Sequence, residues 1–356
     1  MRFAVATVLV LVLTGVALWF VAYGPGNDLD DVQSYQPVES PVGEPLTVVV
    51  EPGSVTEAIA NSLQSAGAIA SATQFRVLVA LLGYDQLLQS GEYEFDRGTP
   101  ELDAVYRMRR GLVSTKSVTV VEGWRLEEIA DALEAQGIQR NDFIAAARRG
   151  DYEFAFLEDL GIGQKLEGYL FPATYTIRRR DTARDIVQQM LQAFADNVPV
   201  AVREQGEALG LTLHEVVTLA SIIEREAVVA DERPVMAQVF LRRLRLGIAL
   251  EADPTVQYAL PNEPENVAEF GYWKQVLTAE DLEIDSPYNT YLETGLPPGP
   301  IASPRLDSIN AVVNPAGTNY LFFVAKEDGS HAFATTLQEH LENIELFGGG
   351  DETTTP

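Results

Sequence analysis

The sequence predicts an α+β protein: a single N-terminal transmembrane helix, then small strand–helix modules, then a larger α+β domain. Three observations carry that expectation. An uncharged apolar run opens the chain, a strand–helix unit occurs twice in the N-terminal half, and from Leu166 the pattern shifts to aromatic, β-prone segments between amphipathic helices.

The apolar run is Phe3 to Tyr23, FAVATVLVLVLTGVALWFVAY. At 1.5 Å per residue it reaches roughly 32 Å, about one hydrocarbon core. Trp19 and Tyr23 stand at its outer end, where amphipathic rings favour the interface. Arg2 precedes it and Asn27 to Asp31 (NDLDD) follows it, which predicts an inside N-terminus and a body outside the cytoplasm. A cleaved signal peptide competes, but the run is too long and no Ala-x-Ala site ends it. Residues 1–23 are therefore read as a cytoplasmic stub and single-pass anchor in the cell membrane. Residues 24–45 form an acidic linker rich in Pro, Gly and Ser, and 348–356 a structureless tail.

Within residues 46–165 the unit TVVVEPGSVTEAIANSLQSAGAI (Thr47–Ile69) returns as SVTVVEGWRLEEIADALEAQGI (Ser117–Ile138). Val49-Val50-Glu51 matches Val120-Val121-Glu122, Leu63 matches Leu133 and Gly67 matches Gly137. Each copy reads as a short strand, a turn and an amphipathic helix closed by glycine. Between them Gly91–Phe95 (GEYEF) alternates like a strand, and Thr99–Gly111 begins as a capped helix with Pro at its first position.

Residues 166–347 form the second domain. Leu166–Ile177 is β-prone and Thr182–Val198 is an amphipathic helix. Thr212 and Glu215 form a capping box that opens a helix from Leu213. Thr218 stands where the second His of H-E-x-x-H would be, so His214-Glu215 is not a zinc-protease motif. Another helix runs from Glu232 to Gly247; loops and short strands are expected beyond it, with a hairpin in Asn319–Thr335 turning at Glu327–Ser330.

Composition excludes several function classes. With 46% hydrophobic and 22% charged residues the chain is an ordinary globular protein. Its net charge of −27 argues against nucleic acid, which needs clustered Lys and Arg. The absence of cysteine removes disulfides, thiolate zinc sites and Cys nucleophiles. The histidines are His214, His331 and His340, and a multi-His centre would need all three together. No metal or cofactor is expected.

Chemistry concentrates in ASIIEREA, Ala220–Ala227. At 100° per residue, Leu213, Val216, Val217, Ala220, Ile223 and Ala227 form a stripe about 120° wide that includes Glu224. Glu226 lies about 160° away with Leu219 and Ile222, so the two carboxylates cannot act as a touching pair. Glu224 either pairs with an arginine such as Arg242 or Arg243, or lines a cleft whose apolar walls keep it protonated as a general acid. Periodicity leaves both open. Two further segments draw attention. Asp253 precedes a proline in ADPTVQY, and Ser286–Pro304 (SPYNTYLETGLPPGPIASP) is a proline-stiffened loop presenting hydroxyls, an amide and aromatic faces, groups suited to sugar rings.

Together ASIIEREA, DPTVQY, SPYNTYLETGLPPGPIASP, NPAGTNYLFFVAKEDGSHAFATTLQEH, LEGYLFPATY and the apolar anchor resemble the endolytic murein transglycosylases (MltG, or YceG-like, proteins) from about Leu46 to Phe347. The resemblance implies LysM-like modules in residues 46–165 and Glu224, the first Glu of the motif, as the catalytic residue. It implies an endolytic lyase that cleaves the MurNAc–GlcNAc β-1,4 bond of nascent peptidoglycan strands, leaves 1,6-anhydroMurNAc ends and limits strand elongation. One acid suffices, because no water is consumed. Asp253 then stabilises an oxocarbenium-like centre, Tyr288, Asn289 and Thr290 hold the sugar, Glu226 orients or faces solvent, and His331 faces the cleft. Two alternatives stay open: a muramidase-type hydrolase of the same bond, and a non-catalytic peptidoglycan-binding scaffold for wall-synthesis enzymes.

Overall fold

Two β–α–α–β units, one grown from each copy of the repeat, organise the N-terminal half. The computed structural model describes residues 46–111, 115–158, 160–178, 181–261 and 264–347; the apolar run 3–23, the linker 24–45 and the tail 348–356 lie outside them. The chain divides into two compact units between Thr115 and Lys116.

In the first unit β1 (Leu46–Val50) leads through α1 (Thr56–Ala66) and α2 (Ala72–Leu82) to β2 (Gly91–Phe95), then α3 (Glu101–Arg109). β1 and β2 are antiparallel, with Leu46 opposite Phe95 and Val50 opposite Gly91. The period of two buries Val48 and Val50 against Tyr93 and Phe95. Leu63, Phe75, Val79 and Met108 close that core from the helices, each fully buried side chain contributing about 2 kcal/mol. Gly67 ends α1 in a left-handed turn, as its position predicts. Thr99 does not cap α3; its hydroxyl donates to the Asp96 carbonyl instead.

The second unit opens with β3 (Thr115–Thr119), α4 (Leu126–Glu134) and α5 (Arg140–Ala146), and β3 pairs with β4 (Thr174–Arg178). That pairing crosses the expected boundary at 165. The second copy draws its closing strand from beyond Leu166, and Val118, Leu126, Leu133 and Phe143 share one core with Val217, Ile223 and Val312. Gly168 shows how tight this joint is. At φ 82°, a Cβ there would lie 2.5 Å from Pro300 Cβ and 3.0 Å from Val217 Cγ1.

Next come α6 (Ala183–Asn197), α7 (Ala201–Ala208) and α8 (Leu213–Glu226), α6 and α8 opened by the Thr182–Asp185 and Thr212–Glu215 capping boxes. α9 (Arg233–Leu246) stops at Gly247. Where loops and strands were expected, five further helices follow: α10 (Asp253–Ala259), α11 (Pro264–Phe270), α12 (Ala279–Leu282), α13 (Leu306–Val313) and α14 (Leu337–Phe347). Four of them are eight residues or shorter, too short for a clear sequence period. The hairpin forms as predicted: β5 (Phe322–Ala325) runs antiparallel to β6 (His331–Ala334). α8 is the axis of this unit. It is buried on every side from Val216 to Ile223, because α7, α9, α10 and α13 pack around it. Among the described residues no single helix is long and apolar enough to cross a membrane.

Candidate active site

The C-terminal turn of α8 carries both glutamates, and the structure gives them opposite surroundings. Glu224 is enclosed, its side chain 2% exposed. Its Oε1 accepts from Arg305 Nε at 2.8 Å, and its Oε2 from the Arg305 amide at 3.1 Å and the Ser308 hydroxyl at 2.7 Å. Arg305 and Ser308 begin α13, so the Glu224 carboxylate caps that helix from outside and meets the positive end of its dipole. The carboxylate's contacts are thus taken up by the fold: one guanidinium, one amide and one hydroxyl. The arginine partner is neither neighbour on α9. Arg242 donates to Asn319, and Arg243 pairs with Glu251 at 2.9 Å.

Glu226 ends α8 half-buried, with an opening to its surroundings that Glu224 lacks. No described residue donates a hydrogen bond to its carboxyl. The protein packed around it, and then the charge of Asp253, push its pKa up to about 8 against the pull of Arg225. Glu226 thus holds its proton at neutral pH, while Asp253, at the start of α10, accepts a 2.6 Å bond from the Tyr291 hydroxyl. Glu226, expected as the bystander, is thus the acid of the two without a described donor. Helical phase separated the two acids correctly, but with α8 buried all round, phase could not decide which face is the site.

Arg225 lies between the two acids in sequence and packs its guanidinium 3.9 Å from the Trp273 ring centroid. It reaches the Gly123 carbonyl at 3.4 Å. Gly123 sits at φ 78°, where a Cβ would press on Arg225 Nη1 at 3.2 Å, so the turn of the second repeat copy is fitted to this helix end. Gly123 and Ser303, and Trp124 and Ser303, are joined by 2.8 Å backbone bonds that tie the same turn to the proline-rich loop.

The remaining predicted residues divide. Asn289 and Thr290 are fully buried and their polar groups are already engaged. Asn289 Nδ2 donates to the Leu282 and Ile284 carbonyls, and Thr290 Oγ1 meets the Ala252 amide at 3.0 Å and Thr255 Oγ1 at 2.8 Å. Those bonds build the loop. Tyr288 stays partly exposed and packs on Tyr258, ring centroids 4.8 Å apart. His331 is buried on β6 with Nδ1 2.7 Å from Glu232 Oε2, a structural pairing.

The sequence reading missed Glu167. It is buried beneath Tyr258, whose hydroxyl donates to Oε2 at 3.2 Å, and Oε1 has no hydrogen-bond partner among the described residues. Burial first, and Glu127 second, push it up to about 8. Arg125 stacks over Tyr258 at 4.2 Å and pairs with Glu127 at 2.8 Å. The one signal available was a charge inside the aromatic run LEGYLF. His214, expected only as a first-turn residue, also bridges two loops, Nδ1 to the Tyr169 hydroxyl at 3.0 Å and Nε2 to the Pro298 carbonyl at 3.1 Å. A cleft of about 240 Å³ opens beside Arg305, lined also by Glu122, Phe171, Pro172, Leu306 and Asp307.

Comparison with known proteins first gives a class. The profile of the YceG-like family matches residues 48–346. The 2.6 Å crystal structure of a yceG-like protein from Listeria monocytogenes has a TM-score of 0.56 and 30% identity, covering 84% of this chain and 98% of its own. The chain belongs to the YceG-like family. Among its relatives, the endolytic murein transglycosylase of Bacillus subtilis is 34% identical over 328 residues, 88% of this chain and 87% of its own length. That of Streptococcus pneumoniae strain R6 is 28% identical over 339 residues, 88% of this chain and 60% of its own length.

Proposed function

We propose that the protein is an endolytic murein transglycosylase, a lyase acting on peptidoglycan glycan strands, with Glu226 rather than Glu224 as its acid and base. The observation that carries the assignment is the half-buried Glu226 carboxyl at the end of α8, free of described donors and pushed up to about 8 by burial and then by Asp253. Glu226 gives its proton to the glycosidic oxygen between N-acetylmuramic acid and the following N-acetylglucosamine. The C1–O bond breaks, the muramic 6-hydroxyl oxygen closes on C1, and the Glu226 carboxylate takes the hydroxyl proton. Charge and atoms balance without water, so one carboxyl serves both steps. The Asp253 carboxylate supplies negative charge near the oxocarbenium-like centre, and Tyr288 offers an aromatic face to the sugar.

The antiparallel β–α–α–β order of the first unit supports a LysM-like, glycan-binding reading. The apolar run 3–23 supports a single-pass anchor with the body outside the cytoplasm, which would hold the enzyme near newly made strands and the synthases that make them.

The test compares Glu226→Gln and Glu224→Gln on purified glycan strands, reading new ends by mass spectrometry. Glu226→Gln should lose roughly 10²-fold or more in 1,6-anhydro ends, the scale of a general acid, with the fold intact. Near-normal release by that variant would sink the assignment. Reducing muramic ends from the unmodified protein would mean a hydrolase, and binding without turnover a scaffold.

A further inference from the structure

The segment YNTY, Tyr288–Tyr291, and the segment EADPT, Glu251–Thr255, form one bracket beside the end of α8. Glu251 takes a left-handed backbone (φ 50°), rare for a non-glycine residue and a form of stored strain. It is held there by its amide bond to the Thr290 carbonyl at 3.1 Å and by Arg243, whose guanidinium also reaches the Ala249 and Leu250 carbonyls. Thr290 Oγ1 fixes the Ala252 amide, and the Tyr291 amide donates to Asn289 Oδ1 at 3.0 Å. The loop's amide and hydroxyls are thus consumed in aiming two side chains, Asp253 and Tyr291, at each other.

Two neighbouring carboxylates do not both ionise readily, and the charge of Asp253 raises Glu226, so the two compete for a proton. Which one holds it decides whether the site has an acid at the right atom. Tyr291 donates its single phenolic proton to Asp253, and no described residue donates to Glu226. Arg225 on α8 and Glu251 before α10 are further charged groups that act on Glu226 and Tyr291. Burial, and then Asp253, hold the Tyr291 hydroxyl above the ordinary phenol range, so it remains a donor throughout the working range.

We propose that Tyr291 is a positioning residue for the reaction: its bond to Asp253 keeps Asp253 ionised and so places the shared proton on Glu226. This rests on Glu226 being the acid. Without the phenol, molecules carrying the proton on Asp253 compete with the active form, and turnover falls while substrate binding does not.

The experiment measures kcat and KM on purified uncrosslinked glycan strands from pH 5 to 9 for the full chain and for Tyr291→Phe, Asp253→Asn, the double variant and Glu226→Gln. Tyr291→Phe should lower kcat roughly ten-fold with KM within about two-fold. Asp253→Asn should move the alkaline limb of the profile down by about one pH unit or more, because Glu226 loses its like-charged neighbour. In the Asp253→Asn background, Tyr291→Phe should change kcat by less than about two-fold, since no second site competes for the proton. A Tyr291→Phe loss that persists undiminished in the Asp253→Asn background, or that falls on KM alone, overturns the proposal, as does an unmoved alkaline limb in Asp253→Asn. That last result decides the matter even where Tyr291→Phe does not fold. Full activity in Glu226→Gln removes the underlying assignment instead; an inactive Glu226→Gln with additive Tyr291→Phe removes this inference alone.

Discussion

Replacing Glu224 by alanine separates structure from chemistry at the end of α8. Three bonds are lost. The Arg305 pair is worth about 1 kcal/mol, because that guanidinium is 39% exposed and turns to water when released. The amide bond at the start of α13 is a capping interaction worth about 1 kcal/mol. The buried Ser308 hydroxyl loses its acceptor, at about 1 kcal/mol or somewhat more. The sum is about 3 kcal/mol, which for a unit of this size lowers Tm by roughly 6–12 °C. Differential scanning calorimetry of the transition that contains α8 reads this directly. Cleavage measured well below the new Tm should stay within about ten-fold of the unmodified protein, far above the loss expected on removing a general acid. A Tm within 2 °C of the original (roughly 1 kcal/mol or less) together with a 10²-fold loss of anhydro ends would refute the reasoning and return the acid role to Glu224.

Glu167→Gln tests the buried carboxyl under Tyr258. In the unfolded chain it ionises near 4.5 and in the fold near 8, so it stays protonated in the fold where the unfolded chain would release a proton, and stability falls as pH rises between those values. The Gln variant should flatten that part of the Tm–pH curve, and an unchanged slope counts against a protonated Glu167. The unit boundary predicts that a chain starting at Lys116 melts cooperatively, whereas one starting at Leu166 has lost β3, α4 and α5 from its core and aggregates. A soluble, cooperatively melting 166–347 fragment would restore the boundary at residue 165.

The sequence was most legible where local rules act alone. The capping box at Thr212, the glycine stops at Gly67 and Gly247 and the Asn319–Thr335 hairpin all stand where spacing placed them. It was least legible where partners are distant. The second repeat copy finds its closing strand at Thr174, past a domain boundary drawn from a change of composition, because strand pairing is not written in either strand alone. The proposed move of the acid from Glu224 to Glu226 has a related reason. Apolar phase marks the face of a helix that meets the core, and Glu224, lying on that phase, is the one the core had to neutralise with Arg305 and Ser308. Glu226, off the stripe, is where the packing leaves a carboxyl with a like-charged neighbour and a way out. On a helix buried all round, the residue that fits the apolar stripe best is therefore the one most fully satisfied by the fold. The functional carboxyl is found by asking which acid the fold leaves without donors, and that question needs the positions of Arg305, Ser308, Asp253 and Tyr291, all of which come from other parts of the chain.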